Sequence, residues 1–296
     1  LTIRHLRILV MVCACESITN AAERLYMTQP AVSLAIKELE ENYGIRLFDR
    51  LARRIQMTQD GKRMLEFAIH IVDLFNDMER AMKNPDAVGE LRIGSSLTIG
   101  SCLLPQYVEK LTSQCPGIKP RVFVNNSDSI VKSVREGHLD IGLVEGAVSD
   151  DTLVFNSFMA DSLIAVCGHG HPFAHREDVS LDDFLAQPLL LRERGSGTRE
   201  LFQSAVTLLG KQVDPAWESV STTALIRAVE AGNGVSVLPE KLVDEYISAG
   251  RLNRVPLQQP RLSRSFSLIY HKNKHLSAGM RKLIDIVMER ETVASR

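Results

Sequence analysis

Charge imbalance, long apolar runs, an even cysteine framework and recognisable catalytic motifs are all missing from this 296-residue sequence. Lys and Arg total 35 against 36 Asp and Glu, a formal net charge of -1. Spread evenly, that balance excludes the strongly basic surface typical of nucleic-acid binders, so only a local concentration of charge leaves DNA open as a partner. The apolar run Ile8 to Cys15 is bounded by Arg7 and Glu16 and falls far short of the ~18–20 residues of a membrane span, so no membrane is expected as a partner. Arg4, His5 and Arg7 before it imitate a secretion signal. However, Ile3, Leu6, Leu9, Val10 and Cys13 recur at three- and four-residue steps, which suits an amphipathic helix better. Five cysteines would strand one thiol in an oxidising compartment, and the cytoplasm is therefore expected. There is no G-x-S-x-G, no P-loop and no paired acid–base set, so no catalytic residue is nominated and the chain is not read as an enzyme. His169, His171 and His175 lack a thiolate or carboxylate partner set at ligand spacing, and neither a metal nor a cofactor is expected. Repeats and low-complexity tracts are absent as well.

What is present is a folded composition, 45% hydrophobic and 24% charged, with length for about two domains. After the first helix, Ser17 or Thr19 can cap a short helix that carries Ala21-Ala22 and ends around Tyr26-Met27. Thr28 offers a second cap, Pro30 suits a first turn, and Val32, Ile36 and Leu39 keep helical spacing up to a stop at Gly44. Two short helices joined by so short a turn predict a helix-turn-helix. Ile45 and Leu47, then Ile55 and Met57, alternate with polar residues as two strands of a small wing. Residues 46–63 hold six Lys/Arg against two acids, with Arg50, Arg53 and Arg54 at the wing tip. From Thr58 to about Met82 one long helix is predicted, with an apolar seam at Leu65, Ala68, Val72, Phe75 and Met82, widened by Met64, Ile71 and Met78. Beyond Gly89 strands and helices alternate: Leu91 to Gly94, a helix Leu103 to Leu111, Arg121 to Val124, a helix Ile130 to Gly137, Leu139 to Val144. A second series holds Leu163 to Val166, Leu189 to Leu191, a helix from Thr198, and Gly234 to Pro239. That order argues mainly parallel α/β sheets.

The run Leu6, A-A-E-R-L, T-Q-P-A-V-S, L-E-E, G-I-R-L-F-D-R and M-T-Q-D-G resembles the DNA-binding domain of LysR-type transcriptional regulators over about sixty nearly gap-free residues. The resemblance implies an N-terminal winged helix-turn-helix, mainly α, then a long linker helix and a two-lobed α/β effector domain similar to periplasmic binding proteins. It implies domains at 1–58, 59–88 and 89–296, with lobe I at 89–160 and 266–296 and lobe II at 161–265, joined by crossovers near Asp161 and Ser265. Double-stranded DNA is then the partner, with Thr28, Gln29, Ser33 and Lys37 on the reading helix and Arg50, Arg53 and Arg54 on flanking phosphates. Leu34 departs from the polar residue expected there; it meets a thymine methyl or sits idle. The family pairs subunits through the linker helix, so a homodimer, a homotetramer, a small-molecule effector and contact with RNA polymerase are implied.

In such domains ligands sit beyond the carboxyl ends of the strands, between the lobes. That places Ser95, Ser96, Thr98, Asn126 and Ser127 on one side and Arg192, Ser196, Thr198 and Arg199 on the other. Arginines and glycine-rich backbone suit a small anion. The string R-E-x-G-S-G-T-R resembles a subgroup tied to carbon fixation and to sulfur or nitrogen assimilation. A peroxide-sensing branch uses a cysteine pair in the second lobe; the stretch Arg192 to Phe202 has none, which argues against thiol sensing. The alternative is a solute receptor in which the first sixty residues only dimerise. Through Arg63 there are ten Lys/Arg and seven Asp/Glu, so a head of +3 precedes a remainder of -4.

Overall fold

The computed structural model describes residues 1–51, 54–83, 89–146 and 150–294. The chain divides into two units, residues 1–89 with 273–275 and residues 90–272 with 276–296.

The first unit opens with α1 (Ile3–Cys15), α2 (Ile18–Arg24) and α3 (Gln29–Tyr43), then strands β1 (Phe48–Leu51) and β2 (Arg54–Met57) and the long α4 (Gln59–Lys83). Ser17 starts α2 by accepting the Asn20 N–H at 3.2 Å. Ala21 and Ala22 are buried, and their small side chains let α2 lie close to α1 and α3. The core joins these helices through Leu9, Val12, Val32, Leu39, Leu47 and Ala68. Each large apolar side chain so buried contributes about 1.5–3 kcal/mol over exposure. Gly44 ends α3 at φ 66°, a conformation that favours glycine.

The wing differs from its expected register. Glu40 accepts the Leu47 N–H at 2.7 Å and the Phe48 N–H at 3.4 Å, which ties residues 45–47 to the end of α3. The first wing strand therefore begins at Phe48 rather than near Ile45, and it pairs Phe48 with Met57 and Leu51 with Arg54. Thr58 accepts the Gly61 N–H at 2.9 Å and donates to the Arg46 carbonyl at 2.6 Å, launching α4 from the wing.

The apolar seam of α4 is also corrected. Met64, Leu65, Ala68 and Val72 pack into the helical core of the same unit, and the Arg7 guanidinium lies 5.3 Å over the Phe75 ring. The stripe left facing outward is Phe67, Ile71, Leu74, Met78 and Met82, again at four- and three-residue steps. Among the described residues no helix is long and apolar enough to cross a membrane.

The second unit runs β3 (Glu90–Ser95), α5 (Leu97–Cys102), α6 (Leu104–Gln114), β4 (Lys119–Val124), α7 (Ser127–Arg135), β5 (Ile141–Glu145) and β6 (Leu153–Gly168). It continues with α8 (Leu181–Leu185), β7 (Leu189–Arg192), α9 (Gly197–Leu208), β8 (Pro215–Ser219), α10 (Thr222–Glu230) and β9 (Val235–Pro239). Last come α11 (Glu240–Ser248), β10 (Leu252–Arg254), β11 (Ser263–His271) and α12 (Ala278–Ala294). The helix expected from Leu103 to Leu111 is α6, with Pro105 fitting its first turn, and a short helix that was not expected, α5, precedes it.

Strand β3 is parallel to β4 and β5, and β7 is parallel to β8 and β9. The sheets are mixed rather than mainly parallel, because β6, β10 and β11 run antiparallel to their partners. Strands β6 and β11 belong to both lobes. They pair Ala160 with Ser265 and Asp161 with Arg264, where β6 passes from the β5/β11 side to the β9 side. Each lobe has its own core, around Ile130, Leu139 and Ile269 in the first and around Phe184, Phe202 and Val237 in the second. The lobes meet where the carboxyl ends of β3, β5 and β7 face each other.

Candidate functional site

The reading face is built at the start of α3. Val32, Ala35, Ile36 and Leu39 point into the core, which turns the other side of the helix outward. Thr28, Gln29, Leu34 and Lys37 are exposed, and Ser33 is half-buried one turn in. Thr28 stands at the cap position, yet its side chain makes no capping bond, contrary to the role its position predicts. Its hydroxyl remains available to an external partner. Lys37 pairs with Glu41 at 3.3 Å, an exposed contact of only a few tenths of a kcal/mol that a phosphate can replace. Arg53 lies outside the described residues; for Arg50 and Arg54 the backbone alone is described, on β1 and β2. Just before α3 the chain turns through Tyr26, which has φ 53° and is 97% exposed.

Between the lobes, the expected residues are buried, except Asn126, which is half-buried, but they are engaged differently from expectation. Arg192 forks onto its neighbour Glu193, Nε to Oε2 at 2.8 Å and Nη2 to Oε1 at 2.9 Å, and donates to Thr222 at 3.1 Å. Arg199 turns into lobe II, donating to the Arg192 carbonyl at 3.2 Å and pairing with Glu218 on β8. Neither arginine is an open anion receptor: both already hold a carboxylate. Ser95 donates to the Ser96 carbonyl at 3.0 Å. Asn126 caps α7 by accepting the Ser129 N–H at 3.0 Å, and its amide donates across to Glu193 at 3.3 Å. Ser196 is the residue before α9 and makes no side-chain cap bond. Ser127 holds the backbone of Glu145, donating to its carbonyl at 3.2 Å.

Thr98 and Thr198, one from each lobe, are brought to a cluster that residue patterns did not reveal. At its centre is Arg264 on β11. It bonds Asp161 Oδ2 through Nε at 2.8 Å and through Nη2 at 2.8 Å. It donates to Thr198 Oγ1 at 3.1 Å and Thr98 Oγ1 at 3.4 Å, and it pairs with Glu145. Glu145 Oε1 also accepts the Thr98 N–H at 3.2 Å, and Oε2 accepts the Thr198 hydroxyl at 3.5 Å. Two carboxylates share one guanidinium, all three side chains being at most 3% exposed. Burial pushes the Asp161 carboxyl above the usual range; Arg264 pulls against that, Glu145 reinforces it, and Lys241 on α11 opposes it from further away. Asp161 Oδ1 and Ser96 Oγ are buried with no hydrogen-bond partner among the described residues. The available signal in the sequence was a lone acid closing the otherwise apolar strand I-G-L-V-E. Arg264 and Asp161 gave none, since nothing local marks a partner 103 residues away.

Comparison with known proteins follows the same division. The family model described as "Bacterial regulatory helix-turn-helix protein, lysR family" matches residues 3–62, and "LysR substrate binding domain" matches residues 85–292. The uncharacterized HTH-type transcriptional regulator YeiE of Escherichia coli K12 is 30% identical over 285 residues, covering 96% of each chain. Among solved structures, a full-length OxyR variant from Pseudomonas aeruginosa superposes with TM-score 0.71 at 20% identity, over 98% of this chain and 94% of the other. Full-length CbnR complexed with its target DNA superposes with TM-score 0.60 at 21% identity, over 98% and 99%.

Proposed function

Because the chain belongs to the LysR family of DNA-binding transcriptional regulators with an effector-binding domain, we propose how its parts divide the work. The first turn of α3 reads base edges in the major groove through Thr28, Gln29, Ser33 and Leu34. Lys37 and the wing arginines Arg50, Arg53 and Arg54 hold flanking phosphates. A head of modest positive charge grips DNA only where the backbone passes, so the near-neutral whole avoids indiscriminate binding. The protein works as a dimer, and through it a tetramer, with the outward stripe of α4 from Phe67 to Met82 as the apolar surface that a second copy covers. It acts in the cytoplasm, contacts RNA polymerase, and carries no catalytic activity. A small anionic effector binds between the lobes near Thr98, Thr198 and Arg264, and shifts the equilibrium between lobe arrangements.

The observation that supports this reading best is the division of α3 into a buried apolar side and an exposed side carrying Thr28, Gln29 and Leu34. A bare solute receptor gives that exposed side nothing to do. The test is a gel shift of the full chain on its native upstream DNA and on random DNA across a salt series. Salt-sensitive, sequence-preferring binding is expected. Gln29→Ala should alter sequence preference, and Arg53→Ala should weaken all sequences alike and flatten the salt dependence. Identical losses on both DNAs for both variants would show the roles to be misassigned.

A further inference from the structure

Resting on the interlobe effector reading, we propose that Glu145 occupies the effector's anion subsite, so that a small oxyanion binds by displacing the chain's own carboxylate. The hydrogen-bonding partners of the Glu145 carboxylate are donors from both lobes and from the crossover, with the Asp161 carboxylate on the far side of Arg264. Thr98 N–H comes from lobe I, the Thr198 hydroxyl from lobe II, and the Arg264 guanidinium from the crossover. The Thr198 hydroxyl accepts from Arg264, which leaves its own proton to be given to Glu145. This is the donor set that an oxyanion requires.

Strand pairing marks Glu145, and not Asp161, as the replaceable member. Asp161 is the cross-strand partner of Arg264 and takes two of its N–H bonds at 2.8 Å, so that pair is neutral without help. Glu145 adds a second buried negative charge that Arg264 cannot fully compensate. Its backbone is held independently of its side chain: Ser127 bonds its N–H and its carbonyl, and Gly197 packs against that carbonyl. The carboxylate can therefore leave while strand β5 stays in place. An anion entering in its stead meets the same donors and finds the Ser96 hydroxyl, buried and unpartnered, two residues from Thr98. Exchange for a monoanion such as formate or acetate leaves the charge of the cluster unchanged. It sets a threshold, because apparent affinity is reduced by the fraction of molecules in which Glu145 holds the subsite.

The experiment titrates the full chain with formate, acetate, sulfate and phosphate by calorimetry, in the wild type, Glu145→Ala, Glu145→Gln and Glu145→Ala/Thr198→Val. Glu145→Ala should bind at least one of these anions ten-fold or more tighter than the wild type, and Thr198→Val should remove that gain. Glu145→Gln, nearly isosteric and uncharged, keeps the test open should the alanine variant fail to fold, and a smaller gain in the same direction is expected. If the wild type binds an anion that neither Glu145 variant holds more tightly, Glu145 is no competitor while the interlobe site survives. If the gain persists with Thr198→Val, the anion sits elsewhere and the assignment fails. If no variant binds any of the four, the anionic class of effector falls together with the assignment.

Discussion

Replacing Gly197 with alanine tests whether the contact between lobes is set at the start of α9. A Cβ at this position would lie 2.6 Å from the Glu145 carbonyl oxygen, 3.2 Å from its carbon and 3.3 Å from Ser127 Oγ. The hydroxyl can rotate aside, but the carbonyl belongs to β5 and cannot. A carbon–oxygen contact settles at about 3.3 Å, so α9 must recede from β5 by about 0.7 Å. The interlobe bonds have no slack to absorb this. Asp128 N–H to the Gly195 carbonyl is 3.3 Å, Asn126 to Glu193 is 3.3 Å and Thr198 to Glu145 is 3.5 Å, all at or beyond the long end of hydrogen-bond distances. Overpacking of this kind costs about 1–3 kcal/mol. At tenfold per 1.4 kcal/mol, the joined arrangement loses about 5- to 150-fold in population against a parted one. The lobe cores do not include Gly197, so the melting temperature should move little. Hydrogen exchange of the full chain reads the effect directly: the Asp128 amide, which donates across the gap, should exchange faster by that factor, while amides in β9 stay protected. Unchanged exchange at Asp128 in a folded Gly197→Ala protein refutes the reasoning.

Two further outcomes follow from local geometry. Tyr26 adopts left-handed backbone with its side chain almost fully in solvent, so it bears strain without a compensating contact; Tyr26→Asn should raise the urea stability of the N-terminal unit by up to ~1 kcal/mol, and a Tyr26→Val protein as stable as wild type would contradict this. Burial pushes the Cys13 thiol up to about 12 and the Cys167 thiol up to about 11. At pH 8 the thiolate fractions are then on the order of one in ten thousand and one in a thousand. Iodoacetamide should label both only after denaturation, and rapid labelling of the native chain would show them to be more accessible than their surroundings allow.

Much of the architecture could be read locally. Helical spacing marked Leu6 and Leu9 of α1 and Val32, Ile36 and Leu39 of α3, and the glycine at position 44 marked where α3 stops. These are consequences of periodicity and backbone sterics, which act over a few residues. Errors arose where a local pattern served two masters. Leu65, Ala68 and Val72 of α4 look like a seam for a second subunit because an apolar stripe does not say what covers it, and α1 and its neighbours cover it first. Ile45 and Leu47 alternate like a strand, but a single side chain from α3, Glu40, claims the backbone N–H of Leu47. Arg192 and Arg199 looked free because a sequence shows an arginine's charge and not whether a carboxylate already holds it.

By itself, then, the sequence determined a helix-turn-helix head, a long helix and a series of α/β units, and it concentrated a +3 charge in the first sixty-three residues of a chain with net charge -1. Tertiary structure alone decided which charges meet. Glu145, Asp161 and Arg264 come from three strands, and burial turns three unremarkable residues into one strongly coupled group, because charges withdrawn from water interact far more strongly than charges left in it.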